Sequence, residues 1–168
     1  MSANDIRQGA LGDCYLLSAM SIIAHTRPDL LKKIFHPDSR TYSREGIYSL
    51  MLYQGKMAHV VTVDDKFLAS STSKKHAFVS LCTDPTTNER EIWPLLLEKA
   101  YAKFHGSYDN IEGGHVHTAL EELTNGAGQR RSLRDKDVEQ MFNTGELWQK
   151  MLRWRARSYL MRAGSPAG

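Results

Sequence analysis

The sequence predicts an α+β fold, helical with a small antiparallel three-stranded sheet. Apolar residues recur at helical spacing in two separate segments, Cys14 to Ala24 and Ile92 to Phe104. Between them, two stretches alternate apolar and polar residues on either side of Gln54-Gly55, the pattern of a hairpin. With 168 residues, 41% of them hydrophobic and 24% charged, the chain can build one packed core and leave material for a second small piece.

The first helix carries Leu16, Leu17, Met20, Ile23 and Ala24 on its apolar side, with Asp13 as the predicted N-cap. The predicted hairpin strands are Gly46 to Tyr53 and Met57 to Asp64, and Ala77 to Cys82 supplies the third strand. In the second long helix Trp93, Leu96, Leu97, Ala100, Tyr101 and Phe104 share a face, and Pro94 belongs in its first turn. A loop rich in turn formers follows. Thr118 and Glu121 then have capping-box spacing and open a short helix that Gly126 ends. The almost wholly polar run from Gln129 to Asp137 reads as a boundary. Beyond it, Val138, Met141 and Phe142 make one helical turn, and Thr144 caps a longer helix carrying Leu147, Trp148, Met151, Leu152 and Tyr159.

Charge is unevenly placed. Of the net +3, the last 24 residues hold five basic side chains against one acid, hence +4, and the preceding 144 are net −1. A nucleic-acid-binding face backed by a known module is therefore not expected. No apolar run reaches the ~18 residues of a membrane span, and Asp5 and Asp13 interrupt the place where a signal peptide would lie. Two cysteines, Cys14 and Cys82, read as free thiols of a reducing, cytoplasmic setting.

Cys14 holds the chemistry. At the start of a helix, unsatisfied N–H groups and the helix dipole favour the thiolate, which is the nucleophilic form. Gly9 and Gly12 let the preceding loop double back, so that the Gln8 amide and the Cys14 N–H can face one space as an oxyanion hole. An ordinary buried cysteine in a core helix fits the same pattern equally well.

The run QGALGDCYLL from Gln8 to Leu17 resembles the active-site segment of calpains, cysteine endopeptidases of papain-like fold. WPLLLEKAYAK from Trp93 to Lys103, Gly106 to Tyr108, and Gly113-Gly114 are similar to calpain motifs in the same order, and VVTVDD from Val60 to Asp65 is similar to a strand end between them. The similarity covers roughly residues 5 to 126. It implies Cys14 as the nucleophile, Gln8 as an oxyanion donor, and Gly113 and Gly114 along a cleft that binds an extended peptide through backbone hydrogen bonds. It also implies a calcium ion in this lobe with Asp5 and Glu91 among its ligands, although two carboxylates cannot supply the six to eight oxygens calcium takes. Asp5 also reads as a solvated loop acid, and Glu91 as a helix-terminus charge.

Two departures stand out: Tyr15 occupies the place where calpains usually have Trp, and the histidine and amide of a papain-type mechanism are not among these residues. None of the seven histidines stands where the family draws its base. His115 and His117 form an HxH without an evident third ligand, and His59 falls at a polar strand position. The expected organisation is a nucleophile-bearing catalytic lobe over residues 1–128, then a linker and the first helices of an incomplete second lobe over 129–168. The expected activity is calcium-dependent cleavage of internal peptide bonds, with a polypeptide substrate, the second lobe as partner, and no activity in this segment alone. A calpain-like interaction module without catalysis is the alternative. The basic tail helix with Trp148 and Trp154 has the composition of a membrane-surface helix, but a surface made to pack on a second lobe accounts for it more simply.

Overall fold

The computed structural model describes residues 12–67, 82–83 and 90–164. In chain order they form α1 (Cys14–Thr26), α2 (Pro28–Ile34), a 3-10 turn (Pro37–Ser39), β1 (Ile47–Gln54), β2 (Met57–Asp64), β3 (Cys82–Thr83), β4 (Arg90–Glu91), α3 (Trp93–Phe104), a second 3-10 turn (Asp109–Ile111), α4 (Val116–Thr124), α5 (Lys136–Asn143) and α6 (Glu146–Ala156).

The hairpin closes through Gly55 and Lys56, both at positive φ (56° and 76°), the geometry that matches the twist of two-residue hairpins. Its register opposes Tyr48 to Val63, Leu50 to Val61 and Leu52 to His59. In the first two pairs both residues are buried, and Leu52 is buried beside a half-buried His59, so one face of the ribbon meets the core. His59 therefore points inward against the Phe104 ring, centroids 5.6 Å apart, rather than out to solvent as its polar character predicts. Leu16, Met20 and Ile23 of α1, Leu97 and Tyr101 of α3, Leu50 and Leu52 of β1, and Leu123 of α4 are almost completely buried and form one cluster. Lysines fasten the layers. Lys99 Nζ reaches Asp64 Oδ1 at 2.6 Å, Lys103 Nζ reaches the Thr62 carbonyl at 2.7 Å, and Lys56 Nζ lies 3.0 Å from the carbonyls of both Asn125 and Gly126.

Four expectations need correction. The sheet is not three-stranded: β1 and β2 stand as a two-stranded ribbon, and β3 pairs antiparallel with β4 instead. Cys82 and Thr83 find partners a few residues ahead, which costs less loop-closure entropy than reaching the hairpin; residues 77–81 lie outside the described residues. The Thr118–Glu121 capping box does not form. Packing of Val116, Ala119 and Leu123 on one buried face starts α4 three residues earlier, with His115 at the N-cap, and Asn125 in the left-handed region (φ 58°), not Gly126, ends it. Asp13 occupies the N-cap position of α1, yet its side chain makes no cap hydrogen bond. Thr144 does not cap α6 either; its hydroxyl bonds back to the Gln140 carbonyl at 3.0 Å and Gly145 takes the N-cap place.

Candidate active site

Cys14 is the first residue of α1, and its thiol is exposed. The Asp13 carbonyl accepts from Leu16 N at 2.8 Å and Leu17 N at 3.2 Å, so the helix is properly begun. By position, the N–H groups of Cys14 and Tyr15 have no carbonyl within the helix to bond and face the space in front of it. The sequence then forces α1 inward at once: Tyr15, Leu16 and Leu17 are all buried. The result is an exposed thiol on a backbone anchored in the core.

Asp13 turns away from that space. It is 1% exposed, as is Glu98 in the middle of α3, and the two carboxyl groups interact. Burial pushes the Asp13 carboxyl above its ordinary value, with the hydrogen bond to Glu98 opposing the shift. A side-chain cap would have placed a carboxylate against the helix N-terminus, where it would repel a thiolate. The inward turn leaves that positive end of the dipole to Cys14.

Gly113 and Gly114 come to the same place from 99 or more residues further along the chain. The Gly113 N–H donates to the Gly12 carbonyl at 3.0 Å, which pins this segment to the loop carrying Cys14. Gly113 needs its positive φ of 75° to make the bend. Gly114 needs its missing side chain, because a Cβ there would sit 2.5 Å from Cζ of Tyr15. The Gly113 N–H is thereby engaged within the chain. His115 and His117 follow directly, rings stacked with centroids 5.4 Å apart, at the entry to α4.

Of the other predicted site residues, Gln8 and Asp5 lie outside the described residues. Glu91 is half-buried in β4, paired in register with Cys82 and two residues ahead of α3. Among the described residues, no group of three or more His, Cys, Asp or Glu side chains is placed to hold a metal ion. The described residues by themselves therefore do not assemble the six to eight oxygens that calcium takes.

Three features of the site escape a sequence reading: the Gly12 carbonyl as a tether, the Asp13–Glu98 pair, and Tyr15 as the surface under Gly114. Tyr15 also meets Tyr101 edge to face, centroids 6.5 Å apart. Only the adjacency of Tyr15 to the nucleophile was a signal for any of them.

An exposed cysteine at a helix N-terminus beside a glycine segment is the arrangement that the calpain resemblance implies, and comparison with known proteins bears directly on it. The family model described as calpain family cysteine protease matches residues 1–167. The chain belongs to the calpain family of cysteine proteases. It is 37% identical to "Calpain-type cysteine protease ADL1" of Oryza sativa subsp. japonica and 37% identical to "Calpain-type cysteine protease DEK1" of Zea mays, in each case over 100% of this chain and 7% of the relative. It is 34% identical to human "Calpain-12" over 82% of this chain and 18% of the relative. The chain thus spans well under a quarter of the length of these calpains. Among its described residues, no helix is long and apolar enough to cross a membrane.

Proposed function

We propose that this calpain-family chain is the nucleophile-bearing lobe of a cysteine endopeptidase core, over residues 1–128, and that residues 129–168 lead into a second lobe. The observation that carries the reading is the hydrogen bond from Gly113 N–H to the Gly12 carbonyl, which sets the Gly113–Gly114 segment beside an exposed helix-terminal thiol. A substrate strand laid along Gly114 would present its carbonyl carbon to Cys14 Sγ. The thiolate adds to that carbon, and the oxyanion that forms accepts hydrogen bonds from the Cys14 N–H and the Gln8 amide. Collapse expels the amine, which takes a proton from a histidinium, and leaves a thioester. Water deprotonated by the same histidine then releases the acid and regenerates the thiol.

That histidine, and the amide that orients it, belong in our reading to the second lobe. The described histidines support this, since several are engaged elsewhere: His105 with Glu122, His36 with Asp38, and His59 against Phe104. The chain alone is accordingly proposed to be inactive. Calcium, which the family resemblance brings with it, is proposed as a regulator of lobe assembly; no chemical step depends on it, and Asp5 and Glu91 are its proposed ligands in this lobe.

The test treats the full-length protein with a peptidyl epoxide, with and without calcium, beside Cys14→Ala. Labelling at Cys14 that calcium accelerates and Cys14→Ala abolishes is expected. Equal labelling without calcium would remove the metal from the proposal and keep the protease. No labelling in either condition would leave a calpain-like interaction module in its place. Cys14-dependent peptide hydrolysis by residues 1–168 alone would overturn the two-lobe assignment.

A further inference from the structure

Behind the Gly113–Gly114 segment runs a chain of polar contacts that the mechanism above does not use. The phenol end of Tyr15 lies under Gly114, so closely that no Cβ would fit between them. Tyr15 is itself buried, and beyond it stands Tyr101 of α3, 1% exposed, with the two rings edge to face. The Tyr101 hydroxyl donates to Glu122 Oε2 of α4 in a short hydrogen bond. The same oxygen is 3.1 Å from Nε2 of His105, whose ring also packs on Tyr101 at 4.5 Å between centroids. Burial and the Glu122 carboxylate hold the Tyr101 hydroxyl far above the ordinary tyrosine range, so it remains a donor throughout the working pH range.

We propose that Glu122 is a positioning residue for the substrate cleft: anchored by His105, it orients Tyr101, which fixes the Tyr15 ring on which the Gly114 backbone rests beside Cys14. The inference deepens the protease reading and rests on it for its catalytic meaning. Three elements converge here. α1 brings Tyr15, α3 brings Tyr101 and, at its C-cap, His105, and α4 brings Glu122 only eight residues after Gly114. Tyr101, held at its hydroxyl end by Glu122, presents a fixed edge to the Tyr15 ring, so the height of the floor under Gly114 depends on a hydrogen bond as well as on packing. A mere core contact would need no hydroxyl on Tyr101 and no acceptor at position 122.

The experiment uses the full-length protein as wild type, Tyr101→Phe, Glu122→Leu and Glu122→Gln. Two reagents separate position from reactivity: a peptidyl epoxide, which must lie along the glycine segment, and iodoacetamide, which needs only the thiolate. Tyr101→Phe and Glu122→Leu are expected to slow the epoxide about tenfold while iodoacetamide changes by less than about twofold. Glu122→Gln keeps an acceptor for Tyr101 and should stay near wild type. Hydrogen exchange of the backbone over residues 112–116 reads the same tether without any chemistry at Cys14, and it should speed up in Tyr101→Phe and Glu122→Leu only. Unchanged exchange in both variants, parallel loss with both reagents, or a Glu122→Gln as impaired as Glu122→Leu would overturn the inference. A wild type that the epoxide fails to label would instead refute the protease reading, and the exchange rates would then decide the positioning role alone.

Discussion

Gly114 and Gly113 differ in why they tolerate no side chain, and the difference is measurable. At Gly114 an added methyl would collide with the buried Tyr15 ring at 2.5 Å. Gly114→Ala should therefore lower unfolding free energy by about 1–3 kcal/mol, the usual result of overpacking. At Gly113 the space is open, but φ is 75°, so Gly113→Ala should lose about 1–2 kcal/mol through backbone strain. Urea midpoints give both values, and Tyr15→Leu should relieve the first variant and leave the second as it was. Asp13 provides a pH signature. Its carboxyl is raised above the ordinary 3.8 by burial, so between that value and its folded value the native state holds more protons than the unfolded chain. Its contribution to stability is thus fully present in acid and is lost as pH rises through this window. Asp13→Asn should flatten the pH dependence of stability as pH rises above the ordinary 3.8; an unaltered slope would show that the Glu98 side of the pair carries the titration.

At the scale of elements, α3 buries nine of its twelve residues. Leu97 is fully buried between the hairpin and the other helices, and Leu97→Ala should cost about 2–5 kcal/mol, read as a lower urea midpoint. Val60, 65% exposed on the outer face of β2, should change stability by less than about 0.5 kcal/mol when replaced by Ala. The end of α4 is a second test. Asn125 terminates it at φ 58°, and Asn125→Gly should raise the midpoint by about 0.5 kcal/mol, because glycine reaches that region without steric cost. The lysine that braces this end from the hairpin turn bonds to backbone carbonyls, so it survives that change.

For the whole molecule, the core draws on α1, α2, the hairpin, α3 and α4, whereas α5 and α6 pack chiefly on each other. No residue of α6 is buried, and Trp148 remains 60% exposed. Trp148→Ser should accordingly shift the unfolding midpoint by less than about 0.5 kcal/mol, in contrast to Leu97→Ala.

Periodicity alone was enough for α1, α3 and the hairpin, because each hides one face in a single core and the burial pattern is written along the chain at its own repeat. Cys14 at a helix start was legible for the same reason: the apolar run begins immediately behind it. The short pieces were not. Two-residue strands have no period to read, so the third strand was placed with the hairpin and β4 was not foreseen, and the start of α4 followed packing in preference to the Thr118–Glu121 signal. What only the tertiary structure decided is what stands around Cys14. The Gly12–Gly113 tether, the Asp13–Glu98 pair and the line from Tyr15 through Tyr101 to Glu122 join residues between 85 and 101 positions apart, or in the last step 21. Such contacts depend on how α1, α3 and α4 meet, and local sequence carries helix and turn preferences but no record of which distant side chain will fill the space beside it.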